Sequence, residues 1–346
     1  MKLLIKLKTT IFWKYCILYL IKPVYDFIWS YIFNFHGKIL FFFWNIKKRE
    51  YIDLKNSSGI LIKENKLISD LAEEISIFCD EKLLDFSKKK IQSESAINDQ
   101  NYFDEKGERF SQELFEFLPD ELKKKIVDLA SSDMIITTAT KYMGVFPILT
   151  RIYLYHNIPV GSPKGYQLWH KDGMGYKGLD FFIPITSINK ENGPLFFLKK
   201  KDKLGVFGKI QNIKPNAQKG ERNKVLDEEF NKIYTNEDVG STIGNMGSCL
   251  IIDSYNCYHK GGHCNIKDRI MLRFAFDTID STVINSDQEK YRKKDYFHFC
   301  PRIKKSEINN FFLRYLFFKR SYIFKKLNLS EKLIKLYYLL HYKITA

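Results

Sequence analysis

From residue 145 the chain reads VFPILTRIYLYHNI (145–158), GLDFFIPIT (178–186), PLFFL (194–198), SCLIID (248–253) and RIMLRFAFDT (269–278), with Gly, Pro, Asn and Asp between the runs. Short β-branched and aromatic segments of period two, joined by turn residues, predict antiparallel strands in a sandwich or barrel. A charged stretch at 199–245, including KKKDKLGVFGKIQNIKPNAQKGERNK, interrupts them. It is expected as a loop region over one mouth of the barrel. Upstream, apolar positions Leu67, Leu71, Ile75, Phe78 and Leu83 recur at helical spacing and predict an amphipathic helix over about 64–88. SQELFEFLPDELKKKIVDLA (111–130) and DMIITTATKYMG (133–144) are also read as helical, the second closed by Gly144. The expected class is α+β, a strand core with supporting helices.

Outward from this core the composition changes. Residues 1–50 hold nine Lys/Arg against two Asp/Glu and residues 301–346 hold eleven against two, whereas 51–300 are balanced at 36 each. The net charge of +16 therefore belongs to the ends. Three segments follow: a basic aromatic helical segment at 1–50, a catalytic domain at 51–300, and a basic amphipathic helical segment at 301–346. Fourteen aromatic residues in the first segment and ten in the last are interleaved with Lys and Arg, a mixture suited to lying on an anionic membrane surface. Nucleic acid has less use for so much apolar surface. Lys14, Lys22, Asp26 and Lys38 break the first segment into pieces too short to span a bilayer. The six cysteines form no CxxC pair, which suggests reduced thiols. The expected location is cytoplasmic, peripheral on the inner face of a membrane.

The densest chemistry is Gln167-Leu168-Trp169-His170-Lys171-Asp172-Gly173, followed 89 residues after His170 by Tyr258-His259-Lys260-Gly261-Gly262. On an extended chain His170 and Asp172 point to the same side, so the two can grip one metal while a distant strand brings His259. Two imidazoles and one carboxylate leave three coordination positions open, the arrangement ferrous iron needs for a chelating keto acid and oxygen. Ten residues past His259, Arg269 heads a strand and is placed to pair with a carboxylate of the keto acid; Arg273 lies on the same face. Tyr153 and Tyr155 share one face of a strand entering the site, and either is a candidate contact for the keto acid. Singly, each residue has an ordinary explanation: a strand cap, an Asx turn before Gly173, a core imidazole. In this order and on strands, they serve one mechanism.

Over about residues 140–280 the chain resembles the phytanoyl-CoA dioxygenase family, carried by WHKDG, GLDFFIPIT, ENGPLFFL, GSCLIID and HKGGHCN ahead of an arginine. The resemblance implies a double-stranded β-helix (a jelly-roll, cupin-like core), iron(II), 2-oxoglutarate and dioxygen. By position it implies His170, Asp172 and His259 as metal ligands and Arg269 as the 2-oxoglutarate anchor, with Arg273 and Tyr155 as further candidates. The implied reaction is hydroxylation of a small-molecule or lipid-like substrate with release of succinate and CO2. A carboxylate at the third protein position leaves no vacancy for halide. The chain departs from the family at Lys199–Asp202, which replace a Pro-Gly-Ser-His-like element, and the interval from His259 to Arg269 is one residue short. Two other readings compete: zinc bound by Cys257, His259, His263 and Cys264, whose spacing is wrong for a finger, and an inactive scaffold binding membrane or nucleic acid through its basic ends.

Overall fold

The computed structural model describes residues 34–54, 59–62, 65–88, 111–159, 163, 165–172, 177–199, 225–264 and 266–278. The C-terminal segment, most of the N-terminal one, Tyr176 and residues 200–224 of the charged stretch lie outside the described residues. In chain order the elements are α1 (Phe35–Phe43), β1 (Gly59–Ile62), α2 (Lys66–Lys88), β2 (Ser111–Glu113), α3 (Asp120–Ala130), α4 (Asp133–Met143), β3 (Ile148–Asn157), β4 (Gly178–Pro184), β5 (Phe196–Leu198), α5 (Asp227–Asn231), β6 (Val239–Ser241), β7 (Cys249–Ile252), β8 (His259–Lys260) and β9 (Arg269–Asp277). The mixed helix and antiparallel-sheet class is as expected from the sequence.

Six strands form one antiparallel sheet in the order β1-β7-β4-β9-β3-β2, and three form a second in the order β6-β5-β8. Isolated bridges Trp169↔Val225 and His170↔His259 extend the smaller sheet beyond β8. From β3 onward the chain visits the large sheet, the small sheet at 169–170, the large sheet at β4, the small sheet at β5 and β6, and then β7, β8 and β9 alternately. Strands adjacent in sequence are therefore mostly partners across the sheets, and neighbours within a sheet are brought together over long intervals.

Side-chain alternation gives the large sheet two different faces. Ile270, Leu272, Phe274 and Phe276 of β9, Leu179, Phe181 and Ile183 of β4, and Ile152 and Leu154 of β3 meet the helices through Ile75, Ile126 and Ile135. On the other face Met271, Phe182, Leu250 and Ile252 pack with Leu195, Phe197 and Trp169. One apolar layer thus joins helices to sheet, and another joins the two sheets. Residues 34–54 contribute Leu40, Trp44 and Leu54 to the first layer. Trp44 meets Phe146 edge to face at 5.0 Å and donates its Nε1–H to Thr137 Oγ1 at 2.9 Å.

Two expectations change. The segment 111–130 is α-helical only from Asp120, after a single 3-10 turn at Phe115–Phe117: Pro119 stands at the N-cap with extended backbone, and Asp120 and Glu121 occupy the first turn. Before that turn, the Glu113 carboxylate accepts the amide hydrogens of Phe115 and Leu154, both at 3.0 Å, tying residues 111–113 to the edge of β3 as a strand. In the second change, part of the 199–245 stretch is ordered as α5 and β6, with Phe197 paired to Gly240. A Cβ at Gly240 would lie 2.4 Å from Phe197 Cζ, so any larger residue there would force the buried Phe197 ring to shift. Val-Gly-Ser carries too little alternation to be read as a strand. α4, by contrast, ends as expected at Gly144, at φ +71°.

Among the described residues no helix is long and apolar enough to cross a membrane. α1 does present Phe35, Ile39, Phe42 and Phe43 to solvent, Phe42 being 81% exposed. Phe181→Ala, in the inner layer, should lower stability to urea by about 3–5 kcal/mol, whereas Phe42→Ser should change it by no more than about 0.5 kcal/mol.

Candidate metal centre

The site starts from a backbone pair. His170 N–H donates to His259 C=O and His259 N–H to His170 C=O, both at 2.9 Å. Residues that exchange both hydrogen bonds across antiparallel chains carry their side chains on the same face, and the two imidazole rings lie 4.4 Å apart. In each ring Nδ1 is hydrogen-bonded to the carbonyl two residues earlier, His170 to Leu168 at 2.7 Å and His259 to Cys257 at 3.1 Å. A carbonyl can only accept, so Nδ1 carries the hydrogen and both Nε2 lone pairs are left to bind a metal. Tyr166 backs the His170 ring at 5.3 Å.

Asp172 completes the group. Its amide donates to the Ser254 carbonyl at 2.8 Å, fixing it to the turn after β7. That turn is itself pinned by Asp253, which receives the Asn256 amide at 3.1 Å and the Tyr142 hydroxyl from α4. Asp172 Oδ1 lies 3.3 Å from His170 Nε2, and Oδ2 lies 3.7 Å from His259 Nε2. Ligand atoms of the three residues all fall within 4.8 Å of one another, and His170, Asp172 and His259 form the only such His/Cys/Asp/Glu group among the described residues. Two aromatic nitrogens and a carboxylate oxygen, converging from two chain segments, suit a borderline divalent transition metal.

Electrostatics favour ligation. Burial, with His170 adding to it, pushes His259 down to about 3, so its imidazole is neutral at ordinary pH. Burial works against ionisation of Asp172, but the positive neighbours around it, the Arg273 guanidinium among them, outweigh burial and hold the carboxyl well below the usual range. Arg273 Nη2 donates to Asp172 Oδ2 at 2.8 Å. The same guanidinium meets Asp180 of β4 with Nε on Oδ1 and Nη2 on Oδ2, both at 3.0 Å. Asp180 was not singled out in the sequence; its only signal was a carboxylate on the inward face of an otherwise apolar strand.

Arg269 and Arg273 therefore stand in different surroundings. Arg269, 6% exposed, donates Nε to Asn157 Oδ1 at 3.2 Å and Nη1 to the Gly193 carbonyl. Among the described residues no carboxylate lies within ion-pair reach of it, and burial lowers its pKa. Tyr155 pairs with Met271 and Tyr153 with Arg273, so Tyr155 occupies the row between the two arginines on their face of the sheet. The Tyr153 and Tyr155 rings are 5.0 Å apart.

Other residues fall outside the cluster. Trp169 is a packing residue, stacked on Phe230 at 3.8 Å with its Nε1–H on Asp227 Oδ1 at 2.8 Å. His156 pairs with Asp268 at 2.7 Å, away from the three ligands. Cys257 and Cys264 are buried free thiols whose sulfurs meet the Leu198 carbonyl at 3.1 Å and the Asn192 carbonyl at 3.3 Å, and they do not join His259 and His263 in a ligand group.

No family model matches the sequence, and no curated protein matches it. Membership of the phytanoyl-CoA dioxygenase family is thus not shown. Solved structures similar to the chain include EctD from S. alaskensis with 2-oxoglutarate and 5-hydroxyectoine (13% identity, 66% of this chain and 74% of that one, TM-score 0.42). HygX from Streptomyces hygroscopicus with nickel and 2-oxoglutarate is similar at 10% identity over 65% of this chain and 84% of that one, TM-score 0.41. The epimerase SnoN from nogalamycin biosynthesis is similar at 10% identity, over 65% and 77%, TM-score 0.40.

His170→Ala or His259→Ala should weaken Co(II) binding by more than about 100-fold in calorimetric titration, beyond what loss of an outer-shell partner costs. His263→Ala should leave Co(II) affinity unchanged; a matching loss there would point to the cysteine-histidine cluster instead.

Proposed function

We propose that the chain is an iron(II)- and 2-oxoglutarate-dependent dioxygenase on a double-stranded β-helix, hydroxylating a small-molecule or lipid-like substrate. The observation that carries the reading is the convergence of His170 Nε2, His259 Nε2 and the Asp172 carboxylate, with both Nδ1 atoms already engaged. The alternating path of the chain between two antiparallel sheets supports the double-stranded β-helix.

In the proposed reaction a substrate C–H, O2 and 2-oxoglutarate give C–OH, succinate and CO2. Iron and the keto acid supply the oxidising power, and the protein supplies position and a dry site. His170, Asp172 and His259 would hold the metal, and a set of three protein ligands would leave positions for co-substrates. Arg269 is the proposed anchor for the distal carboxylate: among the described residues it is a buried cation with neutral acceptors only, whereas Arg273 already meets two carboxylates. Tyr155, in the row between them, is the proposed neighbour of the bound co-substrate.

Anaerobic addition of iron(II) and 2-oxoglutarate should produce the weak visible charge-transfer band of the chelate, and aerobic incubation should release succinate. Succinate at the wild-type rate from His170→Ala would sink the assignment. Arg269→Ala should raise the 2-oxoglutarate requirement roughly ten- to a hundredfold with metal affinity intact, the size of one bidentate charge-assisted contact. The same defect from Arg273→Ala, with Arg269→Ala normal, would exchange their roles.

Attachment to an anionic membrane surface is proposed for the same chain. It is supported by the exposed row Phe35, Ile39, Phe42 and Phe43 beside Lys38, within the basic first fifty residues. Liposome flotation should show binding that needs anionic lipid, falls with salt and weakens in Phe42→Ser/Phe43→Ser. Protein left in the unbound fraction at low salt would rule it out.

A further inference from the structure

The proposed metal site leaves unexplained why a guanidinium is held against the ligand carboxylate. Arg273 sits on β9 opposite Phe182 of β4, with its guanidinium carbon 5.0 Å from the Phe182 ring centre. Asp180, two residues before Phe182, shares its face of β4. The fork of Arg273 on both Asp180 oxygens fixes the plane of the guanidinium, and Nη2 also reaches Asp172 Oδ2 at 2.8 Å. Asp172 Oδ1 is on the side of His170, 3.3 Å from Nε2, while the hydrogen bond from Arg273 goes to Oδ2. Oδ2 also lies 3.7 Å from His259 Nε2, so each oxygen faces one imidazole ligand, but the two are unequal: only Oδ2 accepts from a cation anchored in the sheet.

We infer that Arg273, braced by Asp180, is a positioning residue that keeps Asp172 a one-oxygen metal ligand. This rests on the metal-site reading above. Of six coordination positions, two nitrogens and one oxygen leave three, enough for a chelating keto acid and O2 together. Were both Asp172 oxygens to turn to the metal, two would remain, and the keto acid would fill them. A charge-assisted N–H···O bond on Oδ2 opposes that turn, and the fork on Asp180 keeps Arg273 from following it. Arg273 does not touch the reacting atoms in this account. It acts through Asp172.

The test uses the full chain with Co(II), whose d–d absorption reports coordination number, and separately with iron(II), 2-oxoglutarate and nitric oxide as a stand-in for O2. Replacing Arg273 alone would leave Asp180 buried without its cation, so the principal variant is Arg273→Gln/Asp180→Asn, with Arg273→Lys as the second should the first fail to fold. Expected are a Co(II) affinity equal to or tighter than wild type, a changed d–d spectrum, and at least a tenfold loss of the nitrosyl EPR signal from the iron(II)–2-oxoglutarate complex. Asp180→Asn alone, which leaves Arg273 in place but removes one arm of its fork, should shift the d–d spectrum in the same direction as the double variant and by less; a wild-type spectrum there would remove Asp180 from the inference. A folded variant lacking the guanidinium but showing the wild-type d–d spectrum and nitrosyl signal would overturn the inference. So would a tenfold weaker Co(II) affinity with an unchanged spectrum, which would reduce Arg273 to a support for the fold. If wild type itself binds Co(II) but gives no charge-transfer band with 2-oxoglutarate, the oxygenase reading fails, while the Co(II) spectra still decide the role of Arg273.

Discussion

The reciprocal backbone pair between His170 and His259 is the constraint on which the site depends. It joins a segment of only two bridged residues, Trp169 and His170, to a strand of only two, β8. Because the two residues exchange both of their hydrogen bonds, the imidazoles cannot point to opposite faces. The pair is held in turn from both sides: β5 places Phe197 against His259, and Val225 closes on Trp169. The small sheet is therefore less a core than a frame for two rings, and its stability comes from facing the large sheet across Phe182, Leu250, Ile252 and Met271.

The large sheet divides its labour by face. Toward the helices it offers an unbroken apolar layer, which fixes the register of β4 and β9 because a slip of one residue would turn Phe181 and Phe274 away from the helices and Asp180 and Arg273 toward them. That register then sets the chemistry on the other face. Arg269 and Arg273, four residues apart on one strand, point the same way roughly 13 Å from each other along it. Asp180 meets Arg273 because β4 is the neighbour of β9, not because of any proximity in sequence. The charged network is a consequence of apolar packing on the reverse side of the same strands.

Buried charges are costly unless each is matched, and the two arginines are matched differently. Arg273 stands between two carboxylates; burial raises Asp180, an effect the arginine only partly offsets. Arg269 has an asparagine oxygen and a carbonyl, both neutral. A protein under selection for stability alone would have little use for a buried guanidinium in that setting, and an anionic ligand would complete it. The Gly193 carbonyl that Arg269 meets lies in a turn packed so closely that a Cβ at Gly262 would stand 2.1 Å from it. The turn and the arginine are thus held in one arrangement.

The sequence by itself determined the strands β3, β4, β7 and β9, the helices α2 and α4, and the identity of the three candidate ligands. These signals are local: alternation over several residues, a glycine after the last helical turn, an imidazole and a carboxylate two positions apart. It could not determine where the helix after Pro119 begins, because the Glu113 carboxylate binds a backbone amide 41 residues away. Nor could it show β6, where Gly240 pairs with Phe197 and leaves room for its ring. Tertiary structure alone decided the role of Asp180 and the difference between Arg269 and Arg273. On one strand the two arginines are equivalent by periodicity; their partners arrive from β3, β4 and distant turns, and pairing across a sheet leaves no trace in the spacing of residues along either strand.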